Sequence, residues 1–218
     1  MTSNQNINRQ ENYWNRLAAE AICTHPLRLE TIENFITPKM RILDYGCGYG
    51  RICQQFLENG YTNILGVDIS PAMIEKGTRL FPSLRLMVLD EKRLWAESAA
   101  FDLVILFSVL TCIPENEALM GLINHIYKVL DDGGYLYISD ILIQTDQRNR
   151  QRYEQFFQEY GSYGIFRLPD GGVFRHFEFK DIQALTSRFK GIKTSFMEVM
   201  TLNNHPAKGF QYFCQKLT

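Results

Sequence analysis

The feature that most constrains this chain is a glycine-rich turn after a short apolar strand. Arg41-Ile42-Leu43-Asp44-Tyr45 runs directly into Gly46-Cys47-Gly48-Tyr49-Gly50. Glycine removes the Cβ where a backbone turns tightly and lets a ligand approach the main chain. The helix that follows points its first amides at that ligand. A dinucleotide-binding turn is spaced G-x-G-x-x-G and seats a pyrophosphate. Here the third glycine comes one residue early, and Asp44 precedes the first. A carboxylate there repels a pyrophosphate and favours a ligand with a cationic amine.

The strand–helix alternation continues beyond this turn. Asn63–Asp68 reads as a second strand, and Ser70-Pro71 supplies an N-cap and a first-turn proline for the next helix. Leu84–Val88 and the apolar run Phe101–Phe107 are strands three and four. Glu115–Leu130 is an amphipathic helix with Leu119, Leu122, Ile123 and Ile126 on one stripe, and Tyr135–Ser139 is strand five. Such alternation predicts a parallel sheet with helices on both faces. Ahead of it, residues 1–9 are polar and expected to fray. A helix from Gln10 carries Trp14, Leu17, Ala18, Ala21 and Ile22, and Pro26 opens a short second helix that Pro38 ends. Behind it come a helix over Thr145–Tyr160, a loop rich in glycine and aromatics, and a helix with Ile182, Leu185 and Phe189. Two final strands, Lys193–Leu202 and Lys208–Gln215, are joined so briefly that they are antiparallel.

Composition excludes several classes. With 218 residues, 45% hydrophobic and 22% charged, the chain suits one substantial core rather than a disordered or fibrous protein. Lys+Arg 23 against Asp+Glu 24 gives a net charge of -1, without the basic excess of a nucleic-acid wrapper or a polybasic membrane binder. Cys23, Cys47, Cys53, Cys112 and Cys214 are scattered, with no zinc-type spacing, so no metal is expected and the thiols read as free. The opening MTSNQNINRQENYW lacks an apolar core, and the longest apolar stretch falls far short of the ~20 residues of a membrane helix. A cytoplasmic protein is expected.

Two further acids mark strand ends. Asp68 closes strand two, placed to accept the hydroxyls of a ribose. Asp90, followed by Glu91, closes strand three, where it could meet an adenine amino group or simply cap a helix. Taken in order, RILDYGCGYGR, GVDISPAMI, LMVLD, FDLVILFSVL and VLDDGGYLYISD resemble the motifs of class I S-adenosylmethionine-dependent methyltransferases. The resemblance is close over about residues 40–140. It implies an α/β fold with a doubly wound, seven-stranded Rossmann-like sheet whose last strand is antiparallel, with an α-helical aromatic lid between strands five and six. It implies S-adenosylmethionine as cofactor, with Asp44 and the Gly46–Gly50 backbone, including Cys47 and Gly48, at the methionine part. Asp68 would hold the ribose, Asp90 and Glu91 would flank the adenine, Phe107 and Ser108 would lie along the cofactor, and Ile69 and Met73 are further cofactor-binding candidates. The expected division is a helical cover over 1–38, a cofactor-binding core over 39–140, a lid over 141–180 and a closing helix with a strand pair over 181–218.

Absences narrow the acceptor. Phe107-Ser108-Val109-Leu110 stands where base- and glutamine-methylating relatives carry an Asn/Asp-Pro-Pro-Tyr box, and Cys112 does not follow a proline as in pyrimidine-C5 enzymes. A small molecule is expected, with the acceptor atom open among O, N and C. The lid concentrates aromatics and arginines, so Tyr163, Arg175 and the N-terminal Tyr13 and Trp14 are substrate candidates, and His176 is a candidate general base. Two other readings are weighed. A nicotinamide-dependent oxidoreductase is disfavoured by Asp44 and the glycine spacing, and a non-catalytic cofactor-binding module is disfavoured by the elaborate lid.

Overall fold

The computed structural model describes residues 3–21, 25–94 and 100–217. Ile22 and Cys23 therefore lie outside the described residues. In chain order the elements are α1 (Ser3–Leu17), β1 (Ile42–Tyr45), α2 (Arg51–Glu58), β2 (Ile64–Asp68), α3 (Pro71–Leu80), β3 (Arg85–Val88), α4 (Glu91–Leu94) and β4 (Phe101–Phe107). They continue with α5 (Asn116–Val129), β5 (Leu130–Ile141), α6 (Gln147–Tyr160), β6 (Ile165–Arg167), β7 (Val173–Arg175), α7 (Phe179–Leu185), β8 (Phe189–Met200) and β9 (Pro206–Lys216).

Seven strands form one sheet in the order β3-β2-β1-β4-β5-β9-β8. β1 to β5 are mutually parallel, while β9 runs antiparallel to both β5 and β8. Strand order reverses between β1 and β4, the place where open α/β sheets bind ligands beyond their carboxyl ends. β1 is buried along its length and β4 over its last five residues, as expected for strands covered on both faces. One face packs the α5 stripe, with Ile182 of α7, against Val104, Leu106 and Ile138. The other packs Ile52 and Phe56 of α2, together with Ile32 and Ile36, against Leu103, Ile105 and Tyr137. Ser70 caps α3 through the Met73 amide, with Pro71 opening that helix.

Three expectations need amendment. α1 begins at Ser3 rather than fraying to Gln10. After Pro26 there is a single 3₁₀ turn over Leu29–Thr31 instead of a second helix. There the Thr31 hydroxyl donates to the Arg28 carbonyl at 2.7 Å, a local bond that competes with helix propagation. The lid is not only helical, because the segment read as loop contains the antiparallel β6–β7 hairpin. Ile165-Phe166-Arg167 and Val173-Phe174-Arg175 are short alternating runs, and Pro169-Asp170-Gly171-Gly172 between them is turn chemistry. Among the described residues no helix is long and apolar enough to cross a membrane.

Candidate active site at the carboxyl ends of the strands

The ends of β1, β2 and β4 and the turns after them wall one side of a cavity of about 1780 Å³. Asp44, within β1, is 1% exposed. Its Oδ2 accepts from the Cys53 thiol at 3.2 Å, while its Oδ1 is buried and has no hydrogen-bond partner. Burial pushes its pKa up to about 7; the Cys53 thiol and Arg51 oppose the rise, and the Asp68 charge adds to it. In the turn, Gly46, Gly48 and Gly50 have φ of +74°, +56° and +82°. A Cβ on Gly46 would fall 2.6 Å from Val109 Cγ2, so this glycine is demanded by the approach of the turn after β4. A Cβ on Gly48 would meet no protein atom within 4 Å, so this stretch of wall is bare backbone.

Asp68 ties two turns together. Its Oδ2 accepts from the Gly48 amide and its Oδ1 from the Ser70 amide, each at 2.8 Å. Burial raises its pKa and the two amides oppose that rise. Ile69 and Met73 continue this wall, and Glu91 accepts from the Tyr45 hydroxyl at 3.1 Å. At the end of β4, Phe107 and Ser108 face the cavity, and Ser108 has a left-handed φ of +57°, which favours glycine. Ser108 Oγ lies 3.1 Å from His25 Nδ1, and His25 Nε2 lies 3.3 Å from Ser139 Oγ. Burial, assisted by Arg51, lowers the His25 pKa to about 4, so the ring is neutral. The His25 carbonyl accepts from Arg51 Nη2 at 2.6 Å, while Arg51 Nε is buried without a partner.

The opposite wall comes from α1, α6 and the hairpin. Asn15 Oδ1 accepts from the Ser70 hydroxyl at 2.7 Å, fastening α1 to the start of α3. Gln10 donates to the carbonyls of Val173 at 2.8 Å and Cys112 at 3.0 Å, and Tyr13 donates to Asp170 at 3.2 Å. The rings of Tyr13, Trp14 and Phe174 meet edge to face. α6 contributes Arg148, Arg152, Gln155 and Phe156 to the cavity; the β6–β7 region contributes Phe166, Leu168, Phe174 and His176.

His176 is 5% exposed, and its Nδ1 lies 2.6 Å from the Tyr153 hydroxyl. That hydroxyl also accepts from the Gln144 amide at 3.2 Å. The hydroxyl and Nδ1 share one proton, and the imidazole tautomer sets which of them donates. Burial, with Arg152 and Arg148 adding to it, lowers the His176 pKa to about 3. His176, the general-base candidate, thus lines the cavity as a neutral imidazole held at Nδ1 by Tyr153.

Thirteen sequence candidates line the cavity: Tyr13, Trp14, Asp44, Gly46, Cys47, Gly48, Asp68, Ile69, Met73, Glu91, Phe107, Ser108 and His176. Four do not. Gly50 caps α2. Asp90 accepts from the Arg93 amide at 3.1 Å, which is a helix-capping contact. Tyr163 is half-exposed and leans on Tyr153, with ring centroids 5.1 Å apart. Arg175 donates to the Pro114 carbonyl at 3.2 Å and Asn116 Oδ1 at 2.5 Å, fastening β7 to the segment after β4. The sequence reading missed His25, Arg51, Arg148 and Arg152 as wall residues. Arg51 had a signal, as a cation directly after the glycine turn. His25 had none, because its partners are 83 and 114 positions away.

Comparison with known proteins agrees with this geometry. A family model described as a methyltransferase domain matches residues 13–192. A solved S-adenosylmethionine-dependent methyltransferase from Methanosarcina mazei superimposes with a TM-score of 0.78 at 25% identity, covering 86% of this chain and 97% of that one. Malonyl-[acyl-carrier protein] O-methyltransferase 1 of Ilyobacter polytropus is 31% identical over 51% of this chain and 42% of its own length. The mouse eEF1A lysine and N-terminal methyltransferase is 29% identical over 50% of this chain and 17% of its own length. The chain thus spans less than half the length of these curated relatives. The glycine turn, the acids at the ends of β1 and β2 and the seven-stranded sheet meet in one conclusion: the chain belongs to the methyltransferase-domain family.

Proposed function

We propose that this protein transfers a methyl group from S-adenosylmethionine to a small-molecule acceptor bound between the strand ends and the insertion after β5. The cavity residues suit the cofactor. The buried, unpartnered Oδ1 of Asp44 matches an ammonium, and the buried, unpartnered Nε of Arg51 matches a carboxylate, so together they suit an amino-acid end. The bare Gly46–Gly48 backbone lets that end lie against the main chain. Asp68 accepts one bond at each oxygen and keeps acceptor capacity for ribose hydroxyls. Leu89 and Glu91 flank the adenine, and Phe107 covers the middle of the ligand.

When bound, the cofactor would supply a sulfonium methyl group, whose carbon–sulfur bond breaks as the acceptor atom bonds in line to the carbon and the neutral thioether leaves. The protein's contribution is position and a dry site. Phe107, Phe166 and Phe174 exclude water, and His176 presents a neutral imidazole to the acceptor.

The observation that carries a small acceptor is the roof. Gln10 and Tyr13 bridge α1 to the hairpin over a cavity larger than the ~300–1,000 Å³ of a single-ligand pocket. The test is transfer from methyl-labelled cofactor into a cell extract separated by size. Label is expected in the small-molecule fraction. Label confined to polypeptide would overturn the reading in favour of a protein acceptor, the kind named for the mouse relative.

A further inference from the structure

Charged residues of both signs line the cavity, with Arg51 at the glycine turn, Glu11 on α1, Glu20 just after it, and Arg167 and Asp170 at the hairpin. Asp44, Asp68 and Glu91 lie on the strand side, and Arg148 and Arg152 on the insertion side. The two arginines are one helical turn apart on α6, and Gln155 and Phe156 continue the same face along the cavity. Neither arginine forms an ion pair among the described residues, although Asp146 lies near. The Asp146 carboxylate is occupied in capping α6, accepting from the Asn149 amide and side chain. Asp170, in the turn between β6 and β7, accepts from the Tyr13 hydroxyl and the Gly172 amide. Arg167 is paired with Glu159 and Tyr160 and is not available in the same way.

Arg152 is the more committed of the pair. Its guanidinium carbon lies 3.4 Å from the centroid of the Phe166 ring, and it approaches the Tyr153 hydroxyl. Its Nε is buried without a partner. A partly desolvated cation with spare donors is costly unless an anion completes it. Beside it, His176 bears no charge. The remaining surface is apolar, from Phe156, Phe166, Leu168 and Phe174.

Resting on the small-acceptor reading above, we propose that the acceptor carries a carboxylate, received by the Arg152 guanidinium with support from Arg148, on an apolar body that packs among these rings. A guanidinium fork matches a carboxylate edge to edge. One inward cation with one rim cation suits a single negative charge better than a dianionic phosphate.

The test uses the intact protein saturated with S-adenosylhomocysteine and three probes of like shape: cinnamate, cinnamamide and phenyl phosphate. Binding is read by ligand-observed NMR and calorimetry. Cinnamate is expected to bind at least ~10-fold more tightly than the amide, as for loss of a charge-assisted pair. Arg152→Gln is expected to erase that preference. Arg152→Lys, which keeps the charge and loses the fork, is expected to restore part of it. Cofactor-product affinity is expected to stay within about threefold in both variants, which also reports that they are folded. Equal binding of acid and amide, no detectable cinnamate binding, or a preference that survives Arg152→Gln overturns the proposal. So does tighter binding of phenyl phosphate than of cinnamate. Failure of S-adenosylhomocysteine itself to bind would instead overturn the function on which the proposal rests.

Discussion

The strand-end wall and the insertion wall of the cavity are built by opposite means. On the strand side, short turns place Asp44, Gly46, Gly48 and Asp68 within two βα connections, and backbone amides do much of the bonding. On the insertion side the wall is made of side chains from α1, α6 and the hairpin, and long-range contacts hold it. Gln10 reaches Val173, Tyr13 reaches Asp170, and Tyr153 reaches His176. The first wall suits a fixed ligand met by main chain. The second can vary its side chains while the same framework is kept. The insertion is nonetheless part of the packed molecule, since Tyr153, Ile165 and Phe177 are buried.

That contrast breaks first, and hardest, at Gly48. A valine there needs a left-handed backbone, costing about 1–2 kcal/mol, and puts its side chain into the cavity. Calorimetry is expected to show cofactor affinity falling by more than ~100-fold, about 3 kcal/mol, with only a modest drop in melting temperature. Retained affinity would mean that the turn is a connection and nothing more.

Asp68→Ala is next. It removes a ribose acceptor and also frees the Gly48 and Ser70 amides. At ~1.5–3 kcal/mol for a bond to a charged group, a loss of ~10–100-fold in cofactor binding is expected. An unchanged dissociation constant would place the ribose elsewhere.

Asp44 sharpens the comparison through pH. Its pKa lies near 7 in the folded protein, above its ordinary value of 3.8. The folded state therefore binds the proton more tightly than the unfolded one, and Asp44's contribution to stability falls as pH rises between those values. An ammonium partner favours the ionised carboxylate, so cofactor binding is expected to weaken as pH drops below about 7, by up to ~10-fold per unit. The dependence is expected to vanish in Asp44→Asn. A pH-independent affinity in the parent protein would sink the ammonium pairing.

The smallest effects on the cofactor are expected from the insertion. His176→Ala is expected to leave cofactor affinity within about threefold, under ~1 kcal/mol, while lowering turnover of the acceptor. Tyr163→Ala, outside the cavity wall, is expected to move neither quantity by more than that. A large loss of cofactor binding in either variant would erase the distinction between the two walls.

Residue patterns made the strand-end wall legible because its geometry is local. The Asp44–Gly50 turn and the Ser70-Pro71 cap each specify backbone shape within a few residues of chain. Asp90 shows the limit of that logic, since an acid at a strand end serves a helix cap as readily as a ligand. Arg175 shows another: its place among the lid aromatics and arginines suggested a substrate contact, yet it donates to Pro114 and Asn116. The aromatic stripe of α6 divides in a way that periodicity does not predict. Tyr153 is core, Phe157 is exposed and Phe156 reaches the cavity.

The amino-acid sequence by itself determined the alternation of strands and helices, the parallel core with its antiparallel end, and the acids and glycines of the cofactor turns. Each of these rests on short-range periodicity or on the φ preference of a single residue. Tertiary structure alone decided that His25 would bridge Ser108 and Ser139, that Tyr153 would take up the Nδ1 of His176, and that Arg148 and Arg152 would face Asp44 and Asp68 across one cavity. Those relations join residues well separated in the chain, and only the packed tertiary structure brings them together.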